Sequence, residues 1–273
     1  MELSETLRRI QRLRWKLLKP VQSFLVGPYR STFRGEGIEF ADARPYEIGD
    51  DWRRIHWSLT ARKNQPYLRL GQEERELTCI IAIDRSASMH ISPSKKTLTL
   101  TTAVALALSA ILNNDRVRWI SFSDKVEWFS PARKGEKLVW GYLAHLWQLW
   151  ERPSAVRRSL LYPFTQWLDS VHKRRVFLIL LSDLFFHDKA GWVHLKALSQ
   201  KHAILLAAIR APEEAITIPW GYLPSKDVET GEAAVLHGSS SEISFLPHGI
   251  RLAFITSADG LIPSLRKALL PPL

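Results

Sequence analysis

From residue 77 onward, the chain alternates short apolar runs with longer segments of helical length. The apolar runs predict strands at 77–83, 117–122, 125–129, 176–182, 203–209 and 251–256. The segments between them predict helices at 96–113, 136–150, 160–171, 189–200 and 260–269. Buried strands that alternate with helices are typical of a mostly parallel sheet covered on both faces. The sequence therefore predicts an α/β fold with helices on both faces of the sheet.

Polar side chains follow two of the predicted strands. Asp84, Ser86 and Ser88 come directly after the first run, in the pattern Asp-x-Ser-x-Ser, and Asp183 follows the run at 176–182. A carboxylate and two hydroxyls at alternating positions offer oxygen ligands of the kind that Mg²⁺ prefers. If the two strands are neighbours, Asp84 and Asp183 meet at the edge of the sheet where ligands bind in such folds. The alternative is a pair of polar turns, because Asp and Ser are common turn residues.

The same loop argues against two classes of enzyme. A phosphatase of the aspartyl-phosphate kind needs a second carboxylate two residues after the first, where this chain has Ser86. A hydrolase elbow needs glycines on both sides of the serine, and the loop has none. A metal-dependent phosphate-transfer or hydrolytic enzyme remains an alternative. Its general base would be His90 or His187, neither of which has convincing spacing.

Composition sets the class of partner and the compartment. The 273-residue chain has a net charge of +11, which favours acidic proteins, anionic lipid or nucleic acid. A basic nucleic-acid-binding protein is therefore a further alternative, but no recognition module is present, and we do not expect nucleic acid as the partner. The single cysteine, Cys79, cannot form an internal disulfide, and no apolar run reaches the roughly 18–20 residues that span a bilayer. We expect a cytoplasmic protein.

The chain divides into three predicted parts. Residues 1–24 form a basic amphipathic helix that docks on the protein or makes at most transient peripheral membrane contact. Residues 25–76 form an arm of short strands and turns, punctuated by glycine. Residues 77–273 form the α/β domain, in which 211–250 is an insertion rich in Pro, Gly and Ser that suggests turns or a short hairpin.

The arm carries a long motif. Residues 35–40 are Gly-Glu-Gly-Ile-Glu-Phe, residues 44–46 are Arg-Pro-Tyr, and residues 49–57 are Gly-Asp-Asp-Trp-Arg-Arg-Ile-His-Trp. In these stretches the chain resembles the bacterial proteins of domain-of-unknown-function family 58, in a short form that lacks transmembrane helices. His56 stands where that family usually has Asp. The core of the family is similar to a von Willebrand factor A domain, so the resemblance implies that fold, preceded by an irregular arm.

The resemblance also implies a metal-ion-dependent adhesion site. Asp84, Ser86 and Ser88 match its first element and Asp183 its third. The second element departs from the family pattern, because Ser159 stands where Gly-Thr is expected to supply the Thr. Three positive side chains in these loops, those of Arg85, Arg157 and Arg158, would weaken cation binding by repulsion. We therefore expect Mg²⁺, or another divalent cation such as Mn²⁺, to be weakly held.

These features together predict a non-enzymatic protein-binding module. An acidic side chain from a partner would complete the coordination of the metal. Genes of the family commonly lie beside those of MoxR-type AAA+ ATPases, so the resemblance implies an adaptor or co-chaperone of such an ATPase in complex assembly or maturation.

The charged residues of the arm carry a separate prediction, that they form one cluster that fixes the arm on the α/β domain. These residues are Asp50, Asp51, Arg53, Arg54 and Arg62.

Overall fold

The arm before the main domain contains two short strands and two short helical segments. The structure, a computed structural model, describes residues 21, 43–69, 77–90, 92–151, 159–186, 188–210, 223–226, 233–236 and 250–270. Strands β1 (Ala43–Pro45) and β2 (Tyr67–Arg69) pair in antiparallel orientation. Between them lie a 3-10 helix (Trp52–Arg54) and helix α1 (Trp57–Lys63). The predicted helix at 1–24, apart from residue 21, and the whole segment 35–40 lie outside the described residues.

Helix α1 begins at the residue that departs from the family motif. His56 precedes the helix, and its Nδ1 accepts a hydrogen bond from the backbone N–H of Leu59 at 3.2 Å. An Asp at an N-cap accepts the equivalent backbone hydrogen bond with a carboxylate oxygen. The imidazole therefore acts as the hydrogen-bond acceptor at this N-cap without a negative charge. The helix ends at Asn64, whose φ of 55° is the left-handed conformation common at helix ends.

The two aspartates of the predicted charged cluster make local contacts within the arm. Asp50 accepts a hydrogen bond from Arg44 at 2.5 Å, and Asp51 accepts one from the backbone N–H of Arg53 at 3.1 Å. The side chains of Arg53 and Arg62 are exposed. Both carboxylates are used inside the turns of the arm, where Asp commonly binds backbone N–H groups two residues ahead. The side chain of Arg54 lies outside the described residues, and the cluster that would fix the arm on the α/β domain stays a prediction.

A six-stranded sheet forms the centre of the main domain. In chain order its first five strands are β3 (Thr78–Asp84), β4 (Arg116–Phe122), β5 (Val126–Phe129), β6 (Phe177–Ser182) and β7 (Ala203–Ile209). Its sixth strand is β10 (Ile250–Ile255). Strands β8 (Leu223–Lys226) and β9 (Ala233–Leu236) pair with each other as a separate antiparallel hairpin. The order across the main sheet is β10-β7-β6-β3-β4-β5, and every pairing is parallel except that of β4 with β5.

Helices cover both faces of the sheet, as predicted. They are α2 (Ala87–His90), α3 (Pro93–Leu112), α4 (Glu136–Glu151), α5 (Leu161–Val171), α6 (Lys189–Ser199) and α7 (Leu261–Leu269). Residues along β3 alternate between two apolar clusters: Cys79 and Ile81 face one, and Ile80 and Ala82 face the other. The first cluster contains residues of α3, α4 and α7, and the second contains residues of α5 and α6. The α/β prediction, with a mostly parallel sheet, is confirmed.

Helix α3 is the central element of the first layer. Among the described residues it is the one helix long and apolar enough to cross a membrane, but 78% of its most apolar window is buried inside the protein. A helix that is apolar nearly all round is typical of a protein core. Ser92 caps its start, and Pro93 occupies the first turn, where a proline costs no hydrogen bond. This start places Lys95 in the first turn, next to the loop that follows β3.

Candidate functional site

The candidate site lies where β3 and β6 end side by side. The two strands pair in parallel, with Ile83 opposite Leu181, so the residues that follow them emerge at the same edge of the sheet. The two strands are therefore neighbours, which was the condition for Asp84 and Asp183 to meet at this edge. Asp84 is the last residue of β3 and Ser182 the last of β6. This edge is the usual location of a binding site in a parallel sheet.

Asp84 is the centre of a hydrogen-bond network at this edge. Its Oδ1 accepts from the backbone N–H of Ser86 at 2.8 Å and from Ser159 Oγ at 3.1 Å, and its Oδ2 accepts from Ser182 Oγ at 2.7 Å. The side chain is fully buried. Burial, followed by the negative charge of Asp183, raises the pKa of Asp84 above that of an ordinary carboxyl. The structure therefore brings Asp84, Ser86, Ser159 and Asp183 together.

The two loop serines complete the set of predicted residues. Ser86 Oγ and Ser88 Oγ lie 3.0 Å apart and share a hydrogen bond. Two ligands on adjacent corners of an octahedron, each about 2.1 Å from Mg²⁺, are about 3.0 Å apart. The spacing of the hydroxyls is thus compatible with adjacent ligand positions around such an ion.

Asp183 has a cationic partner that the sequence did not predict. Lys95 Nζ lies 2.9 Å from Asp183 Oδ2 and donates a second hydrogen bond to the carbonyl oxygen of Ser88 at 3.2 Å. The side chains of Lys95 and Asp183 are only 1% and 2% exposed. The negative charge of Asp183 is therefore balanced by an ammonium group inside the protein.

Arg85 lies within the loop but is paired with an acidic side chain. It forms a salt bridge with Glu127 and donates a hydrogen bond to the carbonyl oxygen of Leu149 at 2.5 Å. Its positive charge is therefore balanced locally, which reduces the repulsion that the sequence suggested. Arg157 and Arg158 lie outside the described residues.

Of the two candidate general bases, His90 belongs to the described part of the chain and His187 does not. The ring of His90 packs against Trp150 with the centroids 5.2 Å apart. Burial, followed by the positive charges of Arg85 and Lys96, lowers the pKa of His90 to about 4. A base of this strength is poorly matched to proton transfer at neutral pH.

The segment that carries Ser159 is held in place by Asp188, the residue that precedes α6. Asp188 accepts hydrogen bonds from the backbone N–H groups of Leu161 at 3.2 Å and Tyr162 at 2.7 Å, at the start of α5. Gly191 makes the close approach of α6 to the start of α5 possible, because a Cβ there would lie 2.7 Å from Leu161 Cβ and 2.7 Å from the backbone N of Tyr162. Asp188 is thus a positioning residue for Ser159. Asp188 precedes α6 but makes no side-chain cap hydrogen bond to that helix.

The oxygen atoms of this site fit a hard divalent cation. The described part of the chain has no group of three or more His, Cys, Asp or Glu side chains that could hold a metal, so any such ion would depend on hydroxyl ligands. Asp84, Ser86, Ser88 and Ser159 supply one carboxylate and three hydroxyls, a set suited to Mg²⁺ or Mn²⁺ rather than to softer metals.

Comparison of the sequence with protein families identifies the chain. The profile described as "Protein of unknown function DUF58" matches residues 42–244, which extend from the arm through the site to the segment before β10. The chain belongs to the DUF58 family. The family membership that the arm motif suggested is therefore confirmed.

Relatives and solved structures were compared as well. An uncharacterized protein of Mycobacterium tuberculosis and one of Mycobacterium bovis are each 26% identical over 211 residues, which are 76% of this chain and 66% of each relative. The match thus spans slightly less than two thirds of those relatives. Among solved structures, the conserved hypothetical protein BatB of Bacteroides thetaiotaomicron aligns over 71% of this chain and 97% of its own, with a TM-score of 0.47 and 17% identity. An aerotolerance-related membrane protein of Bacteroides fragilis aligns over 71% and 98%, with a TM-score of 0.43 and 14% identity.

Proposed function

We propose that this DUF58 protein is a non-enzymatic protein-binding module with a von Willebrand factor A-like domain. The carboxyl edge of its sheet would act as an adhesion-type site. The observation that carries the proposal is the convergence of Ser86 and Ser159 on Asp84, with the Ser88 hydroxyl 3.0 Å from that of Ser86. Mg²⁺ or Mn²⁺ would be held weakly by these four side chains. Asp183 lies beyond them, beside Lys95.

The charges at the site support an acidic partner. The ionised Asp84 would neutralise only half of the charge of a divalent cation. Asp183 is already balanced by Lys95, and Glu127 is balanced by Arg85. Such a site retains a positive charge when the cation is bound. A carboxylate from another protein is the ligand that would balance it, because hard cations prefer anionic oxygen.

The partner proposed for this site is a MoxR-type AAA+ ATPase, with the protein as its adaptor or co-chaperone in complex assembly or maturation. This part of the proposal rests on the family resemblance. The net charge of +11 adds long-range attraction for an acidic protein. We propose a cytoplasmic location.

The test is co-purification of the full chain with a MoxR-type ATPase from the native organism. Retention of the ATPase should fall in EDTA, recover in Mg²⁺ and fall in the Asp84→Ala variant. The matched control is Asp259→Ala, which removes an exposed carboxylate outside the site and should leave retention unchanged. If retention of the ATPase changes neither in EDTA nor in the Asp84→Ala variant, partner binding does not depend on this site, and the arm becomes the better candidate for the interface.

A further inference from the structure

Lys95 is a buried cation in contact with two of the segments that form the site. Its ammonium donates to Asp183 Oδ2 at 2.9 Å on the loop after β6, and to the carbonyl oxygen of Ser88 at 3.2 Å on the loop after β3. A charge that is 1% exposed is costly to bury unless it is paired, so this contact is a built feature of the site.

We propose that Lys95 is the resident cation of this site and sets its affinity for divalent metal. Its ammonium engages Asp183, which removes one carboxylate from the set available to Mg²⁺ or Mn²⁺. It also places a positive charge beside Ser88, so the metal binds against repulsion. The inference rests on the proposed metal site and explains why that site would be weak.

The neighbouring lysine provides the contrast. Lys96 lies one residue later on α3, and its Nζ pairs with Glu151 at 2.6 Å and lies 4.0 Å from the ring centroid of Trp147. Its contacts are therefore with α4 and not with the site loops. The two lysines are adjacent in the chain and carry the same charge, so Lys96→Met is a matched control for Lys95→Met.

The experiment titrates the purified full chain with Mn²⁺ alone and follows free Mn²⁺ by electron paramagnetic resonance, with calorimetry for Mg²⁺. We expect Lys95→Met to bind at least about tenfold more tightly than the unaltered protein, because the ammonium next to Ser88 is removed and Asp183 is left as an unbalanced negative charge. Lys96→Met should bind as the unaltered protein does. Adding Asp84→Ala to Lys95→Met should abolish the gain, which would place the ion at the proposed site.

A second pair of variants covers the case in which Lys95→Met does not fold. Asp183→Asn leaves Lys95 unbalanced beside the site, and Lys95→Met/Asp183→Asn removes both charges. The double variant should bind Mn²⁺ at least about tenfold more tightly than Asp183→Asn alone, because the ammonium next to Ser88 is removed.

The outcomes separate this inference from the proposed function. Equal affinity in the unaltered protein and in Lys95→Met would overturn the role of Lys95 and leave the metal site standing. If no variant binds Mn²⁺ at millimolar concentration, the proposed metal site fails, and the role of Lys95 fails with it.

Discussion

Replacing Gly191 by alanine tests how the site loop is held. An alanine Cβ would lie 2.3 Å from Asp188 Oδ2, 2.7 Å from Leu161 Cβ and 2.7 Å from the backbone N of Tyr162. If Asp188 swings away, the cap of α5 is lost, at a cost of about 1–2 kcal/mol. That movement does not relieve the contacts with Leu161 and Tyr162, so α6 must also move, at a cost of about 1–3 kcal/mol for overpacking.

The expected change in stability follows from these terms. Alanine gains about 0.5–1 kcal/mol over glycine inside a helix. The net expectation for Gly191→Ala is a loss of about 1–4.5 kcal/mol in the free energy of unfolding. The assay is urea unfolding followed by tryptophan fluorescence, in which a lower midpoint at an unchanged slope reports lost stability.

The control is the same substitution in another helix. Gly141 is exposed in α4, and a Cβ there meets nothing within 4 Å. Gly141→Ala should therefore raise stability by about 0.5–1 kcal/mol. A Gly191→Ala variant as stable as Gly141→Ala would refute the close packing of α6 against the start of α5 and, with it, the positioning role assigned to Asp188.

Two further predictions concern buried charge. Lys95→Met should lower the free energy of unfolding by about 3–5 kcal/mol because it leaves Asp183 unpaired. In urea unfolding, Lys95→Met/Asp183→Asn should be more stable than the single variant. A double variant that is less stable than Lys95→Met would contradict this explanation. Burial lowers the pKa of His90, His172 and His202 to about 4 in the folded protein, whereas an unfolded histidine titrates near pH 6.5. The unfolded state therefore binds more protons, and the stability present above about pH 6.5 is lost as the pH falls toward 4. His172→Phe should lose less stability over this interval, and a variant with the same pH profile as the unaltered protein would contradict the assignment.

The strands and long helices could be predicted because their apolar runs are continuous or periodic. Each predicted boundary lies within three residues of the observed one. The largest difference is at α3, predicted from residue 96 and observed from Pro93. The signals that fix this start are Ser92 as the N-cap and a proline in the first turn, both visible in the sequence. Apolar periodicity alone begins later because the first turn carries Ser94, Lys95 and Lys96.

The short helices could not be predicted from apolar periodicity. Helix α1 has no buried residue, so no apolar face marks it. Its start depends on the ring of His56 acting as a hydrogen-bond acceptor, which is not a common capping signal. Helix α2 has only four residues, and its residues belong to the loop whose pattern suggested ligands.

The arrangement around Asp84 could be predicted in part, because parallel strands bring their ends to one edge. Ser86 and Ser159 contact Asp84 as the pattern suggested. Ser182 contacts it as well, at 2.7 Å, and no sequence pattern selects this residue over the aspartate that follows it. A polar residue that ends an apolar strand beside a buried carboxylate is the signal that would have found it.

The role of Lys95 depends on information that a local pattern does not contain. Lys95 and Lys96 lie in the first turn of a helix that is buried on nearly every side from Leu98 to Ala110, so no exposed face shows which lysine points inward. The partner that draws Lys95 inward is Asp183, 88 residues away in the chain, and it comes within reach only after β3 and β6 have paired. A family pattern that identifies oxygen ligands is therefore insufficient to predict metal affinity, because one lysine from a core helix changes the charge that those ligands present.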